Sequence, residues 1–310
     1  MKDLLEEIRD FYNWIVKFIT IDIWHINLDD FGRAKKNFIK YLKVALITIR
    51  EAGNDKLGLF AVSLSFFSAM AVIPFAAVAF AVTGGFGIDK TLKALLLDNF
   101  ADNQEVINWV ITFANNIIES GQEGLFGFIS FLSFVWIIIW LIINIEKCFN
   151  EIWKAERQRS IAKRVLYYFG ILIIAPFIIT MFLSIFSVFS KNIDKIGFGI
   201  QWGLFLAITI FSFTAMYKYI PNVKVHFSAA FNAALIMAVA FVAVQYVYVE
   251  TQMLVSRLNA VYGIFAAVPL FLIWINISWT LILLGAEISH AFQYVNTYKK
   301  ILHTEKKDIK

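Results

Sequence analysis

Hydrophobic residues in this chain come in runs too long for a soluble core. Between Leu270 and Leu284 no charged residue occurs, and within Tyr262–Phe292 the first charge is Glu287. A helix rises about 1.5 Å per residue, so about 20 apolar residues cross the roughly 30 Å of bilayer hydrocarbon. Five further runs reach that length: Leu57–Val82, Leu125–Ile145, Val165–Phe189, Phe198–Tyr219 and Ala229–Val249. The pattern predicts an all-α integral membrane protein with six transmembrane helices. Pro74, Pro176 and Pro269 fall inside three of these runs. Proline lacks the backbone N–H, so each predicts a helix kink.

Where polar residues return, they do so with helical spacing. Leu4, Leu5, Ile8, Phe11, Ile15 and Phe18 share one face, opposite most of Glu6, Glu7, Asp10 and Lys17. Residues 1–31 therefore predict an N-terminal amphipathic helix, lying on the membrane, on a partner or on its own domain. A second amphipathic helix is predicted over 33–52. Phe38, Tyr41, Leu42, Ala45, Leu46 and Ile49 form its apolar face, and Lys35, Lys36, Lys40 and Lys43 are among its charges. Such a basic helix before a span suits an anionic cytoplasmic leaflet. Residues 88–122 predict two short amphipathic helices between the first two spans. The domain plan is thus a helix over 1–31, a six-helix membrane domain over 32–292 and a polar cytoplasmic tail over 293–310.

Composition sharpens the reading. Sixty per cent of residues are hydrophobic and 16% charged, against about 25% charged in soluble domains. The surplus apolar surface must face lipid. The net charge of +5 is a matter of loops rather than of nucleic acid, which is not expected as a partner. Of 28 Lys and Arg, all but Lys90, Lys93, Lys191, Lys195 and Arg257 fall on one side of the predicted spans. That bias places both termini in the cytoplasm. The start of the chain has no secretory signal pattern, so the first span is expected to direct insertion. Cys148 is the single cysteine, which excludes an intrachain disulfide.

Candidate chemistry is sparse. His25, His226, His290 and His303 show no metal-ligand spacing. Phosphate-binding, nucleophile-elbow and dinucleotide motifs are absent, so a non-enzymatic role with no metal or cofactor is expected. Intramembrane polar residues are the remaining candidates. Asn276, Thr280 and Glu287 recur at helical spacing on one face, and Asn144 leaves the second span on the same predicted side. Two readings stay open: such groups line a path, or they hydrogen-bond to neighbouring helices. Gly285 and Ser278, on another face, suit close helix packing.

Four stretches carry a resemblance: Ser63–Phe75 (SLSFFSAMAVIPF); Asn144–Trp153, with Asn150 and Trp153; Pro221-Asn222-Val223-Lys224-Val225; and Tyr262-Gly263 through Trp274 to Gly285-Ala286-Glu287. Their order and spacing resemble the YihY/BrkB family of bacterial inner-membrane proteins, over about Arg33 to Phe292. The resemblance implies a six-helix inner (plasma) membrane protein with cytoplasmic ends. Family names refer to serum resistance in a pathogen and to a ribonuclease assignment now regarded as mistaken; nothing here resembles a nuclease site. The family's proposed roles lean towards transport or envelope-lipid handling. The alternative is a structural subunit of an envelope complex. Expected partners are membrane lipids and either an envelope protein or a second copy of the chain.

Overall fold

The computed structural model describes residues 9, 13–14, 17–18, 22–26, 31–99, 104–122, 125–156, 159–190, 198–256 and 260–298. Most of the predicted N-terminal helix and the tail beyond residue 298 lie outside the described residues. Helix α1 spans Arg33–Asn54 and starts from an extended Gly32. Asp55 closes it, its N–H donating to the Glu51 carbonyl at 2.8 Å. Lys56 then adopts a left-handed conformation (φ 53°, ψ 38°), turning the chain into α2, Leu57–Gly85. A non-glycine residue there costs about 1 kcal/mol, so the junction is set by its packing. At its far end α2 stops at Gly84-Gly85, and Gly87, at φ 73°, makes the left-handed exit.

Two short helices follow as the pattern predicts: α3, Asp89–Asn99, and α4, Gln104–Gln122. They press Leu92, Ile111 and Ala114 onto Ala77 and Phe80 of α2 and Leu183 of α6. Then come α5, Leu125–Ile152; α6, Ile161–Ser190; α7, Phe198–Tyr219; α8, Phe227–Ser256; and α9, Ala260–Tyr294. Among the described residues there is no strand. Pro74, Pro176 and Pro269 all lie within continuous helices. Thr180, one turn beyond that proline, donates its hydroxyl to the Pro176 carbonyl at 2.8 Å.

Among the described residues, four stretches are long and apolar enough to cross a membrane: Leu57–Gly85, Leu132–Ile152, Phe227–Gln252 and Pro269–Tyr294. A shorter apolar stretch covers Leu166–Met181. Large apolar side chains such as Phe66, Leu166, Phe211 and Val247 face outward, while Glu146, Glu287, Thr83 and Ser289 are buried. A soluble bundle would reverse that arrangement; a bundle in lipid does not need to.

The main core sits where α1, α2, α5, α7, α8 and α9 meet. Ala229, Ala230, Ala233, Ala234 and Ala238 give α8 a buried small-residue face. Helices in lipid lack a hydrophobic driving force for association, so close approach through small residues has to supply the attraction. Gly285 is the tightest case. A Cβ there would run into the hydroxyl of Tyr217 and crowd Met237. Glycine is therefore required for α9 to seat against α7 and α8, as its place on the packing face predicted.

Helix α1 shows where the pattern misleads. The stripe Phe38–Tyr41–Ala45–Ile49 points outward, with Phe38 69% and Ile49 73% exposed. The buried face is Ile39, Lys43, Val44, Ile47, Thr48 and Glu51. Lys43 is accommodated because its Nζ donates to the Ile26 carbonyl at 3.0 Å. Burial holds that ammonium below its ordinary pKa.

Candidate functional site at the end of the bundle

The polar residues singled out from the sequence enter distinct surroundings. Asn276 on α9 lies 3.4 Å from Ser65 of α2, its amide donating to the hydroxyl. Thr280 donates to the Asn276 carbonyl one turn back, at 2.8 Å. Nearby, the Trp279 indole donates to Ser68 at 2.9 Å and the Trp274 indole to Gln245 of α8 at 2.9 Å. These bonds stitch α9 to α2 and α8. Asn144 donates to the Trp140 carbonyl of its own helix at 2.7 Å, on the side where Trp136 and Trp140 are exposed. Glu287 alone is drawn into a cluster of charged groups.

That cluster forms where the ends of α1, α5 and α9 converge. Glu51, in the last turn of α1, is buried and accepts hydrogen bonds from Lys154 Nζ at 2.8 Å and from the Tyr298 hydroxyl. Lys154 reaches it because the chain leaves α5 through a left-handed turn, with φ 47° at Lys154 itself. Desolvation alone would raise the Glu51 carboxyl; the bonds from Lys154 and Tyr298 and the ammonium charge outweigh it and hold the pKa below the ordinary value. One helical turn on stands Asp55, whose Oδ2 is buried and receives no hydrogen bond from the described residues. Glu287 is 1% exposed, and neither of its oxygens receives a hydrogen bond from the described residues. His290 packs edge-on against Trp153, ring centroids 5.3 Å apart, and is flanked by Tyr294 at 4.8 Å.

A second network anchors the connection between α7 and α8. Asn150 Oδ1 accepts from the Asn222 N–H at 2.7 Å, and its amide lies 3.5 Å from Glu146. Arg164 Nε is 3.6 Å from the buried Glu146 carboxylate. Gln293 accepts from the His226 N–H and donates to the Lys224 carbonyl; Lys218 donates to the Val225 carbonyl. The Pro221–Val225 stretch is thus held largely through its main chain. Beside it, a cleft of about 400 Å³ opens on the outer surface of α7 and α8, with Phe211, Phe227 and Phe231 along it and Lys218 and Tyr219 at one end.

Sequence reasoning found Glu287 but missed Glu51, Asp55, Lys154 and His290. One signal was present: two carboxylates four residues apart closing an otherwise basic helix. Among the described residues, no three His, Cys, Asp or Glu side chains converge as metal ligands do. Cys148 is a buried free thiol.

The fold and this site define a polytopic α-helical membrane protein whose charged groups gather at one end of the bundle. The family model described as Virulence factor BrkB matches residues 48–309, and the chain belongs to that family. It is 30% identical over 265 residues to a UPF0761 membrane protein of Paraburkholderia xenovorans, covering 80% of this chain and 59% of the relative. A UPF0761 membrane protein of Ralstonia nicotianae is 29% identical over 255 residues, covering 78% of this chain and 56% of the relative. One from Actinobacillus pleuropneumoniae is 28% identical over 250 residues, covering 76% and 88%. The chain thus spans under two thirds of the length of the first two relatives. No solved structure matches it.

Proposed function

We propose that this protein is a six-span bacterial inner-membrane protein, with both ends in the cytoplasm, that transports a solute or handles envelope lipid without catalysing a covalent reaction. Helices α2, α5, α6, α7, α8 and α9 serve as the spans; an even number returns the chain to its starting side. The Lys and Arg bias supports that side as cytoplasmic. Glu287 carries the reading. A buried carboxyl that receives no hydrogen-bond donor from the described residues is costly in an apolar bundle, and such groups are retained at ion and substrate pathways. The aromatic cleft along α7 and α8, with Lys218 at one end, supports lipid among the candidates, since a cation at the boundary attracts anionic headgroups.

The test is reconstitution of the purified chain in vesicles carrying labelled phospholipids or candidate solutes. Movement that Glu287→Gln abolishes is the expected result. Vesicles in which the wild-type chain moves none of them would sink the proposal. A second reading, a partner subunit of an envelope complex, is favoured by the outward stripe of α1 and by exposed Trp109 on α4. Stoichiometric recovery of one envelope protein after cross-linking through Ile49→Cys would establish it instead.

A further inference from the structure

Two apolar clefts on the outside of the bundle meet at one basic rim. The first, described above, runs along α7 and α8 past Phe211, Phe227 and Phe231 and ends at Lys218 and Tyr219. The second, of about 510 Å³, begins at Leu166 and Tyr167 and runs along α6 past Gly170, Ile174 and Ile178. Arg159, just ahead of α6, joins them. Its Nη2 donates to the Tyr219 carbonyl at 2.9 Å, and its guanidinium carbon lies 4.5 Å from the centroid of the Tyr167 ring. Lys218 adds a second cation, its Nζ 5.8 Å from the centroid of the Tyr219 ring. One of the three ammonium donors is taken by the Val225 carbonyl at 3.2 Å. Neither cation forms an ion pair with a carboxylate among the described residues.

From Lys218 back to Ala207, and from Leu166 on to Ile178, the linings extend about 16–18 Å at the rise of a helix. One leaflet is about 15 Å deep, half of the roughly 30 Å of bilayer hydrocarbon. Each cleft is thus as long as a leaflet is deep, with the cations at the level of the headgroups. A transmembrane helix from another chain would need a groove across both leaflets; a lipid needs only one. We propose that the rim and its two clefts form a site for one anionic diacyl glycerophospholipid, its phosphate held by Lys218 and Arg159 and one acyl chain lying in each cleft. A cation near the membrane surface attracts such headgroups, whereas a zwitterionic lipid brings a cation of its own against these two. The inference deepens the lipid reading above and rests on it; in the orientation proposed there, the site lies in the cytoplasmic leaflet. It concerns a bound lipid and not its movement.

Native mass spectrometry of the full chain in detergent, titrated with phosphatidylglycerol or with phosphatidylcholine, tests it. The wild type is expected to retain one phosphatidylglycerol in preference to phosphatidylcholine. Arg159→Gln combined with Lys218→Gln is expected to weaken that binding by about thirtyfold and to leave phosphatidylcholine unchanged. Gly170→Leu, where a new Cβ meets nothing within 4 Å, and Ala207→Leu, at an exposed position, each fill one cleft and are expected to weaken it severalfold with both cations in place. Lys147→Gln, whose ammonium lies against Trp140 on α5, keeps it. Should Arg159→Gln fail to fold, Lys218→Gln and the two filled clefts decide. Equal retention of the two lipids, or a dimer of chains that holds neither, overturns the proposal. So does binding that falls with the cations but not with the clefts, which marks a surface attracting headgroups by charge alone. Preferential retention by a chain that moves nothing in vesicles upholds the site and rejects transport; movement by a chain without the preference does the reverse.

Discussion

The middle and the end of α9 handle polar groups in opposite ways. In the middle, Asn276, Trp279 and Trp274 each donate to a hydroxyl or amide on a neighbouring helix. At the end, both oxygens of Glu287 are buried and receive no hydrogen bond from the described residues. The first arrangement is closed: each donor has its acceptor, so the bonds serve as glue. The second is open: its buried acceptors have no donor among the described residues. What separates Glu287 from the middle of the helix is a hydrogen-bonding demand that the described residues leave unmet.

The sharpest way to break the comparison is to unseat the end of α9 while leaving its middle intact. Gly285→Val should cost about 3 kcal/mol, the upper range for overpacking, read as lower yield of monodisperse protein and earlier thermal unfolding in detergent. Adding Tyr217→Phe should recover part of the loss, because the tyrosine hydroxyl is the nearest atom to the new side chain. Next in size is Glu51→Ala, expected to cost about 1–3 kcal/mol by removing the buried acceptor that Tyr298 and Lys154 share.

Glu51 also supplies a pH signature. Its folded-state pKa lies below the ordinary carboxylate value. Its contribution is therefore complete above that ordinary value and is lost as pH falls through the lower, folded one. Thermal unfolding of Glu51→Gln should accordingly show a flatter dependence on acid than that of the wild type. The middle of α9 should yield less. A double-mutant cycle of Trp279→Phe with Ser68→Ala should give a coupling of about 0.6 kcal/mol, typical of such bonds in lipid. A coupling several times larger would erase the distinction between glue and site. Smallest of all, Asn144→Ala should shift thermal unfolding by less than about 0.5 kcal/mol, since its amide only bonds back to Trp140.

Much of the fold was legible because long apolar runs in lipid have one cheap solution. The run Phe198–Tyr219 coincides with α7, and the runs read as Tyr262–Phe292 and Ala229–Val249 lie inside the longer α9 and α8. Helix α1 was only half legible. Its larger apolar stripe, Phe38 to Ile49, was plain in the pattern, yet the smaller set Ile39, Val44 and Ile47 is what packs inward. In a membrane protein the broader stripe need not face the protein core, because lipid accepts it as readily. The site was less legible still. Glu287 stood out as a charge at the end of an apolar run, but the carboxylates Glu51 and Asp55 lie far off in sequence, at the end of α1. Nothing in the spacing joins these ends; the Tyr298 hydroxyl bonding to Glu51 does.

Gly285 and Glu287 stand two residues apart, and the first sets the angular phase of the second. An α-helix turns about 100° per residue. With Gly285 locked over Tyr217, a single inserted residue after it would swing the carboxyl by about that angle, out of its buried position. Insertions or deletions between these two positions should therefore be far less tolerated than substitutions on the lipid-facing side of the same turn. The close contact that looks like mere packing acts as an index mark for the rotation of α9.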